Sequence, residues 1–266
     1  MTSDASALFL PDGDRFVSTE LTRGPWTPQA QHGGPPAALL ARTIDRMPDG
    51  DGMMVARLTV ELLRPVPVAS LAVTTRVARP GRKVQLLEAS LHAGDVEVAR
   101  ATGLRIRTAT LPLPALADAA HAPPPPEAGA ASLPPWAEAI SYRSFHRDGV
   151  EHRFVAGSFA EPGPATDWIR LRVPLVAGEP TPPLARVAAA ADFGNGISWA
   201  LPRTEGYQFI NPDLTLYLHR LPADEWVCLE SVTWVQPHGV GLAESRLWDR
   251  HGPLGRSLQS LLLDRR

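Results

Sequence analysis

The pattern of apolar and polar positions along the chain repeats itself in its second half. Residues 58–64 resemble residues 214–220, and the offset of 156 positions that aligns them continues without a gap to Leu91 and Leu247. Eight of these 34 aligned positions are identical. A constant offset between two such stretches is typical of a duplicated structural unit. We therefore expect two copies of one fold in a single chain.

The first copy is predicted to contain one helix followed by a run of strands. Prolines at residues 35 and 36 precede an alanine- and leucine-rich stretch, and prolines in the first turn favour the start of a helix over 37–46. Apolar and polar positions then alternate, which is typical of strands with one buried face. An earlier strand is expected near 14–21, and the later ones over 55–63, 70–79, 83–93 and 96–108.

The second copy has the same predicted order. Its helix spans 185–191 and ends at Asp192, and an earlier strand is expected within 140–159. The later strands are predicted over 214–219, 225–235, 240–248 and 254–264. Antiparallel strands joined by short turns can cover a helix with one face. Each copy is therefore expected to be a sheet wrapped around a single helix.

A stretch rich in alanine and proline separates the two copies. It spans 109–135 and includes four consecutive prolines from 123 to 126. Proline has no backbone donor and favours an extended chain, so we expect a stiff connector here. The predicted division is an N-terminal repeat over 1–108, the linker over 109–135, and a C-terminal repeat over 136–266.

Composition and charge narrow the function classes. Apolar residues make up 44% of the 266 positions, enough for a large core, and the net charge is −2. This balance shows no basic footprint for nucleic acid. No apolar run is long enough for a membrane span, and the first residues do not resemble a secretory signal, so a cytoplasmic location is expected. The one cysteine, Cys228, lies in an apolar run and is predicted to be a buried packing residue.

Several segments carry a resemblance to a known family. They are Trp26, His32-Gly33-Gly34, and residues 58–65, 209–215, 239–245 and 255–261. In this order they resemble the thioesterase-like superfamily and, within it, the double-hotdog acyl-CoA thioesterase II group. The resemblance implies an α+β double-hotdog fold, in which each repeat is an antiparallel sheet around one long helix. It also implies hydrolysis of an acyl-CoA or similar thioester in fatty acid metabolism, without a metal or organic cofactor.

The resemblance also implies a set of catalytic positions in the second copy. It calls for an aspartate at the start of a strand, a hydroxyl residue on the next strand and a glutamine on the last one. Asp213, Thr233 and Gln259 match these positions by context. A slip of one residue reverses the face to which a strand residue points, so Ser231 and Ser257 remain as substitutes.

The duplication tests this choice independently. The offset of 156 aligns Asp213 with Arg57 and Thr233 with Val77. The last turn is predicted to be two residues longer in the second copy, so Gln259 aligns with Ala101 at an offset of 158. The three polar residues then have no counterparts in the first copy. This asymmetry favours one active repeat beside one structural or binding repeat.

The expected chemistry needs a base, an oriented water and donors for an oxyanion. Asp213 would accept the proton of the water, which Thr233 and Gln259 would hydrogen-bond. Backbone N–H groups at the start of the first helix have no partner inside the helix and would stabilise the oxyanion. The residues expected to contact the substrate are His32, Gly33, Gly34, Asp192 and Asn211. Asp192 ends the second helix, where it would cap the helix or line the site, and it ranks second to Asp213.

Two other functions remain open. Some hotdog proteins hydrate enoyl thioesters with an aspartate and a histidine, and Asp213 and His219 share one face of a predicted strand. A non-catalytic acyl-thioester binder would keep the groove without turnover. The sequence does not determine the acyl chain, the choice between CoA and a carrier protein, or the oligomeric state. Exposed sheet edges leave a homo-oligomer open.

Overall fold

The computed structural model describes residues 6–114, 122–202 and 205–265, and these form one antiparallel sheet with helices on its inner side. The helices are α1 (Gly34–Asp45), α2 (Pro183–Ala191) and the short α3 (Gly194–Ile197). The strands are β1 (Phe9–Asp12), β2 (Arg15–Ser18), β3 (Met53–Leu62), β4 (Ser70–Arg79), β5 (Val84–Ala93), β6 (Val96–Arg107), β7 (Ala130–Ser132), β8 (Val150–Ala156), β9 (Ala165–Leu171), β10 (Tyr207–Ile210), β11 (Asp213–Leu218), β12 (Val227–Val235), β13 (Val240–Asp249) and β14 (Gly252–Arg265).

The order of the strands separates the sheet into two equivalent halves. Neighbouring strands follow the order β1-β2-β4-β5-β6-β3-β11-β14-β13-β12-β9-β8-β7, and β10 pairs with β14. The first six belong to the first copy and the remainder to the second. Each half curls around its own helix, so the predicted double hotdog is confirmed.

The two copies meet where equivalent strands pair. On β3 and β11, Thr59 lies opposite Thr215, which is 156 residues later, and the Thr215 hydroxyl donates to Thr59 Oγ1 at 3.3 Å. An approximate two-fold axis therefore passes between these threonines. The flanking pairs are related by the same axis, because Leu58 lies opposite Leu216 and Val60 lies opposite Leu214.

The last turn has the same length in both copies. The pairing of β5 with β6 ends at Ala93 and Val96, and that of β13 with β14 ends at the equivalent residues 249 and 252. The prediction of a longer turn in the second copy was therefore wrong. The offset of 156 therefore also holds on the last strand, and the first-copy counterpart of Gln259 is Gly103 and not Ala101.

The helices α1 and α2 pack against each other in opposite directions. A Cβ on Gly34, at the start of α1, would lie 2.8 Å from the carbonyl oxygen of Ala189, near the end of α2. At the opposite end, Glu179 pairs with Arg42 and Arg46 of α1 at 2.6 Å each. Each helix begins with prolines in its first turn, as predicted, and is buried between the sheet and the other helix.

The four long strands of each copy lie within two residues of their predicted bounds. The segment over 140–159 contains a π-helical turn, Phe145–Gly149, before β8. Strand β9 was not predicted. Its Trp168 is buried on the outer face of the sheet, where its Nε1 donates to the carbonyl of Pro124 at 2.7 Å. Cover on both faces removes the alternation that marked the other strands.

The predicted linker contributes to this outer cover. Residues 115–121 lie outside the described part, whereas Pro126–Ala128 forms a 3-10 turn and β7 pairs with β8. Trp168 packs with Trp226, Cys228 and Trp248 beneath this segment. Burial raises the pKa of the Cys228 thiol, so this cysteine is a packing residue, as predicted. The domain boundaries at 109 and 136 stay a prediction.

Candidate active site

Four polar side chains meet where the end of α2 approaches the start of α1. Asp192, the residue after α2, is 8% exposed. Its Oδ1 accepts Nδ2–H of Asn211 at 2.7 Å and Nε2–H of Gln259 at 3.3 Å. On the other side, His32 Nδ1 lies 2.9 Å from Asp192 Oδ2. We call Asp192, Asn211, Gln259 and His32 the Asp192 cluster.

Gln259 is oriented by bonds at both ends of its amide. On β14, Ser257, Gln259 and Leu261 point inward and are buried. The backbone N–H of Asn195, in α3, donates to Gln259 Oε1 at 3.1 Å. Since Oε1 is the acceptor there, Nε2 faces Asp192 and donates to its carbonyl and carboxylate oxygens.

Asn211 lies in the short break between β10 and β11. Pro212 follows it, and proline has no N–H for a sheet ladder. The carbonyl of Pro212 accepts the N–H of Leu62 at 2.7 Å, which fixes the break against the neighbouring β3. The break turns Asn211 towards the end of α2, where its amide reaches Asp192.

The start of α1 leaves little room beside this carboxylate. A Cβ on Gly33 would lie 2.7 Å and 2.9 Å from the two carboxylate oxygens of Asp192. Only glycine allows this approach without displacing the aspartate. Because Pro35 and Pro36 have no N–H, the donors at this helix start belong to Gly33 and Gly34. Gly34 N–H points to His32 Nδ1 at 3.1 Å, whereas Gly33 N–H has no hydrogen bond to another described residue.

Aromatic rings enclose the histidine of the cluster. The His32 ring stacks on Phe193 with centroids 4.6 Å apart and lies 5.3 Å from Phe145. The ring of His146 is perpendicular to that of His32, with centroids 4.5 Å apart. The ring centroid of Trp26 lies 6.1 Å from that of His32, and Trp26 is 67% exposed. His32 is thus buried among aromatic rings, of which Trp26 is in contact with solvent.

Asp213, the expected base, lies on the outer face of the sheet. Its neighbour Leu214 is buried on the inner face, so Asp213 points the opposite way. Its Oδ1 accepts the N–H of Ser260 at 2.7 Å. Gln259 points inward, and the sheet therefore separates these two side chains. The expectation that Asp213, Thr233 and Gln259 meet is therefore corrected. The sequence located Asp213 at the start of a strand, but it did not determine to which face of the sheet its side chain points.

Thr233 points inward but lies apart from the Asp192 cluster. Its hydroxyl is 2.8 Å from Ser198 Oγ. In the sheet, Ala243 on β13 stands between Thr233 and Gln259. Strands are spaced by about 4.8 Å, so their backbones are about 10 Å apart. Of the hydrogen bonds among the described residues, none joins Thr233 to Asp192.

The two serines kept as substitutes occupy the next row of the inner face. Ser231 and Ser257 are both buried, and both lie opposite Ser245 on β13. The hydroxyl of Ser231 is 2.7 Å from that of Ser245. This row of hydroxyls lies beside the cluster and shares none of its hydrogen bonds.

A signal in the sequence could have identified Asp192. The proline pairs at 35–36 and 182–183 align the two helices with an offset of 147, and this offset places Asp45 on Asp192. The helix ends are therefore equivalent positions of the duplicated unit. Of these two aspartates, Asp192 is hydrogen-bonded to a glutamine and an asparagine. Among the described residues, Asp45 lacks such partners because the first-copy counterparts of Gln259 and Asn211 are Gly103 and Val55.

The described residues also bear on membrane and metal binding. No helix among them is long and apolar enough to cross a membrane. Within the same residues, no group of three or more histidine, cysteine, aspartate or glutamate side chains is arranged to hold a metal ion.

Comparison with known proteins identifies related chains. The family model for the acyl-CoA thioesterase N-terminal domain matches residues 22–106, and the model for the C-terminal domain matches residues 116–263. No curated protein matches the chain.

Solved structures share the fold over nearly the whole chain. A protein of unknown function with a hotdog fold from Alicyclobacillus acidocaldarius is 17% identical, with 99% of this chain and 98% of that chain covered at a TM-score of 0.73. A candidate thioesterase II from Thermobifida fusca is 19% identical, with 98% and 97% covered at 0.73. The acyl-CoA thioesterase II TesB2 from Mycobacterium marinum is 16% identical, with 96% and 94% covered at 0.65.

Proposed function

Because the chain belongs to the acyl-CoA thioesterase family and is a thioesterase, we propose that it hydrolyses acyl-CoA thioesters at the Asp192 cluster. One observation carries the assignment of the site. A buried carboxylate, oriented by two amides, lies beside a helix start whose Gly33 N–H has no partner among the described residues. A base and an oxyanion donor are the two elements that hydrolysis of a thioester needs. An acyl-CoA substrate would fit a place in cytoplasmic fatty acid metabolism.

Asp192 is the general base of this proposal. Asn211 and Gln259 both donate to its Oδ1 and hold the carboxylate in one orientation. A water bound beside these three residues would give its proton to Asp192 as it attacks. The amides fix the direction of attack, and correct orientation can contribute several kcal/mol to lowering a barrier.

Gly33 is the main donor for the thioester oxygen. Its N–H lies at the positive end of the α1 dipole, where negative charge is stabilised. The absence of a side chain at Gly33 lets the start of α1 pack directly against the carboxylate that activates the water. The carbonyl would thus be polarised from α1 and attacked from the side of α2.

The reaction balances without a cofactor. The oxygen of water forms a bond to the carbonyl carbon, and its proton passes to Asp192. The oxyanion then collapses, the carbon–sulfur bond breaks, and the electron pair leaves on the CoA sulfur. Return of the proton from Asp192 to that sulfur gives the thiol and a carboxylic acid, and restores the base.

Single-turnover hydrolysis in 18O-labelled water tests this mechanism. Excess protein is mixed with a medium- or long-chain acyl-CoA, and both the free thiol and the label in the released acid are measured. Direct attack by water places one labelled oxygen in the acid during the first turnover. Unlabelled acid with label in the protein would instead mean attack by a carboxylate on the thioester, and absence of thiol release would contradict the proposed function.

A hydratase is the second candidate. Of the pair considered in the sequence, Asp213 lies on the outer face of β11, and His219 follows the end of that strand and is exposed. The contact between His32 and Asp192, however, brings an imidazole and a carboxylate to a helix start. The same assay with an enoyl-CoA separates the two reactions. Loss of enoyl absorbance without thiol release would favour the hydratase, and binding without either product would favour a non-catalytic binder.

A further inference from the structure

His32 Nδ1 lies within hydrogen-bonding distance of two groups in the cluster. Gly34 N–H points to it at 3.1 Å, and Asp192 Oδ2 is 2.9 Å away. In the plane of the ring, this nitrogen carries either one proton or one lone pair. It can therefore donate to Asp192 or accept from Gly34, but not both at once.

We propose that His32 is a positioning residue whose Nδ1 proton frees Gly34 N–H for the thioester oxygen, an inference that rests on the proposed function. With the proton on Nδ1, the ring donates to the ionised Asp192 and gives up the N–H of Gly34. Without this proton, the lone pair of Nδ1 accepts Gly34 N–H, and Asp192 loses its hydrogen bond from the ring. One proton position thus determines both the state of the base and the number of oxyanion donors.

The surroundings hold the ring still while the proton changes place. The backbone N–H of His32 donates to the carbonyl of Thr22 at 2.8 Å. Phe193 and Phe145 pack on the ring, and the titratable groups that face it are Asp192 after α2 and His146 in the π-helical turn. Because the ring plane is fixed by these contacts, moving the proton changes the hydrogen bonds without moving the ring.

The second donor matters because this helix start has few of them. Pro35 and Pro36 have none, and Ala37 N–H is used by the carbonyl of Gly33. Gly33 and Gly34 remain. Removing one donor from an oxyanion site commonly lowers kcat by about 100- to 1,000-fold. The position of the His32 proton therefore decides whether one or two donors are available to the thioester oxygen.

Two variants separate this role from simple packing. His32→Phe keeps an aromatic ring against Phe193 but has no donor for Asp192. His32→Asn has an amide N–H near the position of Nδ1 and does not titrate. The matched control is His92→Phe, because His92 lies on β5 of the first copy, far along the sheet from the cluster. Circular dichroism and thermal unfolding verify that each variant is folded.

The kinetic result expected is a loss in kcat with partial rescue. His32→Phe should lower kcat by about 10- to 100-fold with little change in KM, because the carboxylate loses its orienting donor. His32→Asn should have a kcat several-fold above that of His32→Phe and below that of the wild type, and His92→Phe should match the wild type. Equal kcat in His32→Phe and wild type, or no recovery by asparagine in a folded variant, would overturn the proposal.

The position of the proton is measured without substrate. Nitrogen-15 spectra of the imidazole in the free protein should report a proton on His32 Nδ1, and the Gly34 amide should exchange as a group without an acceptor. A lone pair on Nδ1 together with a protected Gly34 amide would overturn the proposal, whatever the activity. Because this readout is independent of turnover, a wild-type protein that releases no thiol would contradict the thioesterase function alone.

Discussion

At the scale of single residues, the site depends on how closely α1 approaches a carboxylate. A methyl group on Gly33 would place its carbon 2.7 Å and 2.9 Å from the carboxylate oxygens of Asp192, which is closer than van der Waals contact. The amide of Gln259 is fixed by Asn195 on one side and donates to Asp192 on the other. The proposed base, its amide partners and the helix start therefore pack directly against one another. A displacement of one of them would shift the others.

A methyl group at Gly33 is expected to disable the site. In Gly33→Ala the new Cβ would lie 2.7 Å from Asp192 Oδ2, so the carboxylate must move. Displacement by about 1 Å can lower kcat by about 100-fold, and a loss of at least this size is expected. Steady-state kinetics with an acyl-CoA measures it.

Gly196→Ala is the control for this change. Gly196 lies in α3 near the site, and nothing would lie within 4 Å of its Cβ. This variant should keep wild-type kcat. Equal effects of the two substitutions would show that the close approach of Gly33 to Asp192 is not required for turnover.

At the scale of elements, alternation explains what the sequence could predict. The long strands around α1 and α2 have one buried face and one solvent-exposed face, so the alternation of apolar and polar residues predicts where each strand begins and ends. Strand β9 is covered on both faces, which removed the signal. Gln259 was identifiable as an amide among leucines, but the choice between Asp192 and Asp213 depended on docking of two helices that are distant in sequence. No local pattern contains that information.

An ion pair secures the turn between β13 and β14. Arg220 Nη1 donates to Asp249 Oδ2 at 2.7 Å, and the buried carboxylate also accepts the N–H groups of Ala223 and His251. Burial alone would raise the pKa of Asp249. The hydrogen bonds from Arg220, Ala223 and His251 outweigh it and lower this pKa to about 2.

The stability of the fold should therefore depend on Asp249 in acid. Its pKa is lower in the folded chain than the value of about 3.9 in an unfolded one, so the ionised form stabilises the fold above about pH 4. This stabilisation is lost as the pH falls towards 2. Asp249→Asn should lower the free energy of unfolding by about 2 kcal/mol at pH 7 and by progressively less between pH 5 and pH 2.

Urea unfolding across this pH range measures the effect. Glu244→Gln is the control, because Glu244 pairs with Arg256 on the exposed side of the sheet, and exposed pairs contribute about 0 to 1 kcal/mol. A loss in Asp249→Asn that stayed constant from pH 7 to pH 2 would contradict the account of this ion pair.

At the scale of the whole molecule, the duplicated unit has two equivalent helix ends, and the proposed site lies at the second one. At the first-copy end, a Cβ on Gly103 would lie 2.5 Å from Ile44, so the space that Gln259 uses in the second copy is filled. Arg105 donates to the carbonyls of Ile44 and Asp45 and closes this helix end. Burial raises the pKa of Asp45, which has no amide partners like those of Asp192.

The central claim is that the chain has one base, and three aspartates in the same assay test it. Asp192→Asn, Asp45→Asn and Asp213→Asn make the same chemical change at the proposed base, at its counterpart in the first copy and on the outer face of β11. We predict that kcat for acyl-CoA hydrolysis falls about 100- to 10,000-fold in Asp192→Asn and remains near the wild-type value in the other two. Wild-type turnover by Asp192→Asn, or an equal loss in Asp45→Asn or Asp213→Asn, would contradict the account.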